Sequence, residues 1–387
     1  MSNCKSIYDP QEDSTMLEAS VRQYAKGQVL DIGTGSGIQA IAAAQNNGVK
    51  SVLATDIQKG VIDYCKKNIQ NHKIKFLQSD LFKNVKGKFD TIIFNPPYLP
   101  QELKLKDLTL EGGKKGYEVI EKFLDEANNF LNSNGIILLV FSSLTRKEKV
   151  EELIEKHLLD FQELEKTHIF FEDIYVYLLR KNNFLKELEN SGISSIKYFA
   201  KGHRGMLFKG TCKGKEIVVK AKNPKSKAIG KIENEMKWLK ILNKSKIGPK
   251  LLLSENDYFV YEYINGDFIL EYLKKADKGS TRMSIKKIFY QLRALDKLGI
   301  EKEEMHHPLK HIIFEKNNPY LIDFERAHFS RNPKNVTQFC QFLMHSASVQ
   351  ILKGKRIFID KNKLISLAKV YKNSQNNKNF RKIVGLI

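Results

Sequence analysis

Apolar residues fall in short blocks along the first 145 positions, separated by segments with helical spacing. GQVLDIG (27–33), SVLATD (51–56), KIKFLQSD (73–80), FDTIIFN (89–95) and GIILLVFSS (135–143) read as strands. SGIQAIAAAQNN (36–47), KGVIDYCKKNIQ (59–70) and residues 116–131 read as the helices between them. This alternation predicts a mostly parallel sheet with helices on both faces. After a charged helix over 146–158, FQELEKTHIFF and DIYVYLLRK lie close together, with Glu172 and Asp173 as the expected turn. An antiparallel hairpin at one edge of the sheet is therefore expected.

The pattern changes after residue 180. KNNFLKELENSG (181–192) is polar and reads as a linker. Beyond it come three strand-like segments, IKYFAKGH, GMLFKGTCKG and EIVVKAK. A long amphipathic helix (229–244), a strand YFVYEYI (258–264) and a largely helical remainder follow. Strands first and helices later predict an α+β domain with its own sheet. The expected organisation is a first domain over 1–180, a linker over 181–192, a second domain over 193–372 and a tail over 373–387.

With 387 residues, 42% hydrophobic and 28% charged, the chain suits two folded domains rather than disorder. No apolar run approaches the roughly 20 residues that span a bilayer, and the N-terminus MSNCKSIYDPQEDS has no apolar signal core. A cytoplasmic protein without a membrane partner is expected. Cys4, Cys65, Cys212 and Cys340 are scattered with no CxxC pair, which predicts reduced thiols rather than a disulfide framework or a zinc site. Charge is unevenly spread. Residues 1–180 hold 23 Lys+Arg against 25 Asp+Glu, and residues 181–387 hold 42 against 19. The excess points to RNA or ribosome contact through the second half alone. A general lysine and asparagine enrichment accounts for the same counts.

The candidate chemistry of the first half lies at strand ends. DIGTGSG (31–37) follows a strand and opens a helix, and Gly33, Gly35 and Gly37 let the backbone turn tightly and approach a ligand. Dinucleotide sites use such glycines too, so the neighbours decide. Asp56 closes the second strand, where a carboxylate accepts ribose hydroxyls, and Asp80 closes the third, within reach of an adenine edge. NPPY closes the fourth, its prolines ending the strand and stiffening the mount for Asn95 and Tyr98. Glu12 and Asp13 either cap the first helix or sit near the cofactor.

Together these motifs resemble a class I S-adenosylmethionine-dependent methyltransferase, a Rossmann-like α/β fold. NPPY belongs to enzymes that methylate a planar nitrogen. YDPQEDSTML (8–17), LTLEGGKKGYEVIEKFL (108–124) and LLVFSSLT (138–145) narrow the resemblance to the archaeal and eukaryotic branch of the HemK/PrmC-like release-factor glutamine methyltransferases, over residues 5–180. The resemblance implies S-adenosylmethionine bound by Asp31, Gly33, Gly35, Gly37, Asp56, Asp80 and Asn95. It implies a catalytic motif of Asn95, Pro96, Pro97 and Tyr98. There the Asn95 side-chain oxygen and the Pro96 carbonyl accept the target N–H groups, and Tyr98 packs on the amide plane. It also implies a class I translation release factor as substrate and a small zinc-binding activator subunit at the sheet edge. The alternative is methylation of a nucleic-acid base, adenine N6 above all, with the basic half as an RNA- or ribosome-binding module.

In the second half, Gly202 and Gly205 lie between two strands, Lys220 sits on the third strand and Glu235 on the following helix. Glu262–Ile264 form a hinge-like segment, and YLIDFERA (320–327) places Asp323 after an apolar strand. This set resembles a protein-kinase fold over residues 193–345, with the archaeal RIO- and Kae1-associated groups as the nearest match. It implies ATP, magnesium at Asp323 and a Ser/Thr kinase activity. The chain departs from the pattern in two places. DFG reads Asp323-Phe324-Glu325, and the catalytic loop is replaced by EKEEMHHPLKHIIF (301–314). Aligning HII with the usual NII puts His306 at the catalytic aspartate and His311 at the asparagine. Glu303 or Glu304 is then near, and Lys310 is available to a transferring phosphate. An active kinase, an inactive ATP-dependent switch and an RNA-contacting module all fit these residues.

Overall fold

The structure is a computed structural model and describes residues 11–97, 115–169, 171–201, 205–222 and 231–387. Its contacts divide the chain into two units, residues 1–197 and 198–387. In the first unit, α1 (Glu12–Tyr24), β1 (Gly27–Ile32), α2 (Ile38–Gln45), β2 (Val49–Asp56), α3 (Lys59–Asn68) and β3 (Ile74–Gln78) lead to β4 (Phe89–Phe94). Then follow α4 (Glu118–Phe130), β5 (Leu131–Ser142), α5 (Lys147–Lys156), β6 (Leu159–Ile169), β7 (Glu172–Lys181) and α6 (Asn183–Asn190).

The seven strands run in the order β3-β2-β1-β4-β5-β7-β6. β1 pairs in parallel with β2 and β4, whereas β7 is antiparallel to β5 and β6. The mostly parallel sheet with an antiparallel edge hairpin is as the strand pattern predicts. The strand order reverses between β1 and β4, and ligands bind at the carboxyl ends of strands at such a switch point. DIGTGSG follows β1 and NPPY follows β4, so both motifs meet there.

Alternation along the strands assigns their faces. Leu30, Ile32, Ile92 and Phe94 pack with Phe123 and Leu124 of α4 and Val150 of α5. Val29 and Ile93 pack on the other face with Leu17 and Val21 of α1 and Ala40 and Ala43 of α2. Asn95, next in the alternation after Ile93, falls on the α1 side.

Two polar segments depart from their sequence reading. Glu172 and Asp173 are strand residues and not the hairpin turn, because they pair with Ile169 and His168. Glu172 accepts from the Ser142 hydroxyl, and Asp173 holds Lys166 at 2.9 Å and His168 at 2.8 Å, so both acids are used in pairing. The expected linker 181–192 is instead the end of β7 plus α6. Asn182 caps this helix by accepting from the Leu185 N–H at 2.8 Å. Leu185 and Leu188 share a buried face, and buried Lys181 pairs with Glu189 at 2.5 Å. The division between units falls at 197/198, within the next strand.

The second sheet has the order β11-β12-β10-β9-β8, from β8 (Ile193–Lys201), β9 (Gly205–Cys212), β10 (Lys215–Lys222), β11 (Leu251–Ser254) and β12 (Tyr258–Glu262). Its pairings β9–β10, β10–β12 and β11–β12 are antiparallel. α7 (Lys231–Leu242) crosses between β10 and β11. A helical region follows with α8 (Ile269–Lys275), α9 (Lys278–Lys297), α10 (Asn335–Met344), α11 (Ser346–Gly354), α12 (Lys361–Asn373) and α13 (Asn377–Val384). The expected tail 373–387 therefore contains a helix. Its Phe380, Ile383 and Val384, with Ile387, are buried in the same core as Phe289, Leu292 and Phe339. Among the described residues no helix is long and apolar enough to cross a membrane, and Cys65, Cys212 and Cys340 are free thiols.

Candidate active site at the sheet switch point

β1 delivers Asp31 into a loop in which Gly33, Gly35 and Gly37 have φ of 70°, 53° and 85°. These left-handed values cost other residues more than glycine. A Cβ on Gly37 would lie 2.4 Å from the Ile69 side chain, so this glycine lets the end of α3 close on the loop. A Cβ on Gly33 would approach only the Asn95 carbonyl oxygen, at 4.0 Å, so the face towards β4 stays open. Asp31 is buried beneath the loop and accepts from the Thr34 hydroxyl at 2.6 Å. Burial pushes its carboxyl up to about 7; the Thr34 hydrogen bond opposes the rise and the Asp56 carboxylate adds to it.

Asp56, the last residue of β2, accepts from the Gly35 N–H at 3.2 Å and from the Gln58 N–H at 2.9 Å. Burial raises its pKa, and these backbone donors resist the rise. Asp80 is exposed and stands two residues past the end of β3 rather than closing it.

Asn95 is the best-defined part of the site. Its amide nitrogen donates to Asp13 Oδ2 at 3.0 Å and lies 3.5 Å from Ser14 Oγ. A carboxylate only accepts, so Asp13 fixes which way the amide faces. Asn95 Oδ1 is thereby turned away from it, and this buried oxygen has no partner among the described residues. Asp13 is thus not the N-cap of α1, which is Gln11; it faces Asn95, whereas Glu12 is exposed. Pro96 is buried and Pro97 half-buried; Tyr98 lies outside the described residues.

The family model "Methyltransferase small domain" matches residues 9–172. A Methanocaldococcus jannaschii protein, provisionally named a protein N5-glutamine methyltransferase, is 39% identical over 155 residues, 38% of this chain and 78% of that protein. The chain belongs to the methyltransferase small-domain family. The release factor glutamine methyltransferase of Streptococcus pneumoniae is 32% identical over 142 residues, 34% of this chain and 50% of that one. The chain thus spans about half the length of that bacterial relative. The solved E. cuniculi Mtq2–Trm112 complex, described as responsible for methylating the eRF1 translation termination factor, aligns at 24% identity with a TM-score of 0.38. It covers 45% of this chain and 98% of that one. Family membership implies S-adenosylmethionine as cofactor. The Asp56 carboxylate at the end of β2 and, among the described residues, the uncrowded face of Gly33 fit such a ligand.

Outside the methyltransferase domain, the second unit gathers a second group of charges. Lys220 on β10 and Glu235 on α7 form a buried ion pair. Burial depresses the Lys220 amine, but the Glu235 and Asp323 carboxylates outweigh it and hold the pKa above its ordinary value. Gly205 fits against this strand because a Cβ there would lie 3.0 Å from the Ala221 carbonyl oxygen. Gly202 lies outside the described residues.

Asp323 adopts φ of 61°, and its Oδ1 is buried without a partner among the described residues. Burial alone would raise its carboxyl, yet Lys220, Lys302 and His311 hold it below the usual range. Lys302 donates to the Asp323 carbonyl at 2.7 Å, and burial lowers its amine to about 8. The sequence reading passed over Lys302, which stands in the charged run EKEE; only its burial sets it apart.

Other kinase-related expectations need correction. The Glu262 and Tyr263 N–H groups donate to Lys250 and Glu216 carbonyls, and the Glu262 carboxylate pairs with Lys215 at 2.9 Å. These two N–H donors and the Glu262 carboxylate are engaged within the second unit. Lys310 is exposed in a turn. His306 is exposed at a cavity of about 660 Å³, whose lining also includes Glu303, Glu304, His311 and Arg326. Among the described residues no three His, Cys, Asp or Glu side chains are grouped to hold a metal by themselves.

Proposed function

We propose that the methyltransferase domain transfers a methyl group to the side-chain amide nitrogen of a glutamine, in a class I translation release factor. The unpartnered, buried Asn95 Oδ1 beside the glycine loop carries this reading. An amide nitrogen is a weak nucleophile because its lone pair is delocalised into the carbonyl. Asn95 Oδ1 accepts one target N–H and the Pro96 carbonyl accepts the other. Holding both N–H bonds orients the nitrogen, and orientation supplies much of the rate. S-adenosylmethionine supplies an activated methyl group on a cationic sulfur. Asp56 receives ribose hydroxyls, Asp80 the adenine edge, and the Asp31–Gly37 loop the remainder. The surplus proton leaves to water once the nitrogen is cationic, so no strong base is required.

The bacterial relatives support glutamine more strongly than any one protein carrying it. The Streptococcus pneumoniae relative is named for release factor and a Francisella tularensis relative for ribosomal protein uL3, both as glutamine methyltransferases. The deciding experiment is mass spectrometry of a cognate release factor incubated with the protein, S-adenosylmethionine and a small zinc-binding activator. A gain of one CH₂ on the glutamine of the Gly-Gly-Gln loop is expected. Methyl transfer to duplex DNA or RNA but never to release factor would establish the base-methylating alternative. We place the activator along β3, which ends the sheet order; an exposed edge strand accepts a partner's backbone.

Two variants test the assignment of residues. Asp56→Ala is expected to weaken S-adenosylmethionine binding about 10- to 100-fold by calorimetry, since a charged hydrogen-bond acceptor is worth about 1.5–3 kcal/mol. Asp13→Ala frees the Asn95 amide to rotate without touching the cofactor loop. kcat is expected to fall about tenfold with KM for S-adenosylmethionine little changed, and Asp13→Asn to restore part of the loss. Equal losses in both variants, tracking a lower Tm, would make Asp13 merely structural.

We further propose that the second unit binds Mg-ATP on a kinase-like scaffold. Support comes from the Lys220–Glu235 pair linking the third strand of the sheet to the following helix, with Asp323 beside it. Calorimetry of the full chain with Mg-ATP tests this, and no heat of binding would refute it.

A further inference from the structure

We propose that Glu304 is the proton acceptor of a phosphoryl-transfer centre in the second unit, paired with His311, which in turn neighbours Asp323. The proposal rests on the nucleotide-binding reading above. Sequence alignment put His306 in this role, but the structure sets this loop differently. Lys302, fully buried, reaches the Asp323 carbonyl at 2.7 Å and ties the loop to the segment carrying Asp323. Two residues on, Glu304 Oε2 lies 3.0 Å from His311 Nε2, and His311 Nδ1 lies 3.8 Å from Asp323 Oδ2. The other Glu304 oxygen accepts from Arg326 at 2.5 Å, so the carboxylate is held from two sides.

The neighbouring acids are directed elsewhere. Glu301 is buried and lies 3.3 Å from the Gln338 amide, and Glu303 lies 3.5 Å from His328. Glu303, Glu304 and Asp323 have φ of 64°, 58° and 61°, so three of the eleven non-glycine residues with positive φ among the described residues lie here. Such conformations are costly outside glycine and occur at functional sites as well as in ordinary turns. A simple salt-bridged turn accounts for Arg326 and Glu304 but leaves Asp323 Oδ1 buried and unpartnered. Magnesium bridging nucleotide phosphates takes one or two protein carboxylates, which matches a lone oriented aspartate.

In the step itself, the O–H bond of an attacking hydroxyl breaks as its proton passes to the Glu304 carboxylate. Its oxygen bonds to the terminal phosphorus of ATP. The bond from that phosphorus to the bridging oxygen breaks, and the electron pair leaves with ADP. Glu304 then returns the proton to water. The shared chemistry is an attacking hydroxyl; label on protein identifies a side chain as its source, and label in free phosphate identifies water.

The test uses the full-length protein, calorimetry with Mg-AMP-PNP, and ATP labelled in its terminal phosphate, with label followed onto protein and into free phosphate. Wild type is expected to bind nucleotide and move label. Glu304→Gln is expected to bind within about threefold but to move label about 10²- to 10³-fold more slowly, in the range of a lost general base. Asp323→Asn is expected to lose about tenfold or more in magnesium-dependent affinity. If wild type binds nucleotide but moves no label, or if Glu304→Gln turns over like wild type, the proposal fails and the nucleotide site stands. If wild type binds no nucleotide, both fail.

Discussion

Replacing Asn95 by alanine is expected to slow methyl transfer about 10²- to 10³-fold while leaving S-adenosylmethionine affinity within about threefold. On the function proposed above, Asn95 Oδ1, which has no partner among the described residues, accepts from the substrate amide rather than from the cofactor. Loss of that acceptor removes an interaction that grows as positive charge builds on the nitrogen. Asn95→Asp is expected to be no better, because a carboxylate there would oppose Asp13 at hydrogen-bonding distance. Single-turnover transfer to release factor, with calorimetry for the cofactor, separates the two quantities. A variant that loses cofactor binding and transfer together would move Asn95 from substrate recognition to cofactor binding.

Removal of residues 374–387 is expected to unfold the second unit while the methyltransferase domain keeps its own transition. Phe380, Ile383, Val384 and Ile387 are all buried. At about 1.5–3 kcal/mol each they contribute on the order of 6–12 kcal/mol, comparable with the 5–15 kcal/mol of a whole domain. The deletion also takes away the Gln375 carbonyl that accepts from Arg293 at 2.6 Å. Arg293 in turn donates to Tyr371 at 2.9 Å, whose hydroxyl reaches buried Asp296 at 2.7 Å. Scanning calorimetry of the truncated chain should show one transition in place of two. A second transition within a few degrees of its original Tm would mean that the segment is dispensable.

The strand-end positions of the methyltransferase motifs were legible in the sequence because their signals are local. A strand ending in D-x-G-x-G-x-G needs left-handed glycines wherever it folds, and N-P-P-Y stops a strand by itself. The orientation of Asn95 was not legible, since Asp13 is 82 residues away and meets it only when α1 packs on the sheet. The same limit misplaced the polar segments. KNNFLKELENSG looks like a linker by composition, yet two leucines three residues apart and one buried lysine suffice to seat it. Residues 373–387 are rich in Asn and Lys, which masked four apolar positions along one helix face and its end.

In the second unit, Lys220, Glu235 and Asp323 were named from spacing, and they do converge. The replacement for the missing catalytic loop was not readable that way. EKEEMHHPLK offers three acids and two histidines within ten residues, and alignment by spacing chose His306. Packing buried Lys302 against the Asp323 carbonyl and set Glu304 against His311 and Arg326, contacts that spacing does not reveal.

The sequence by itself determined the parallel α/β architecture, the strand-end location of the methyltransferase motifs and the change of domain type near residue 193. These follow from periodicity and from glycine and proline chemistry, which act over a few residues. Only the tertiary structure decided which Asn95 atom lacks a partner among the described residues, which acid pairs with His311 beside Asp323, and which polar segments are core. Each of those depends on side chains far apart in the chain, brought together by packing that local preferences do not specify.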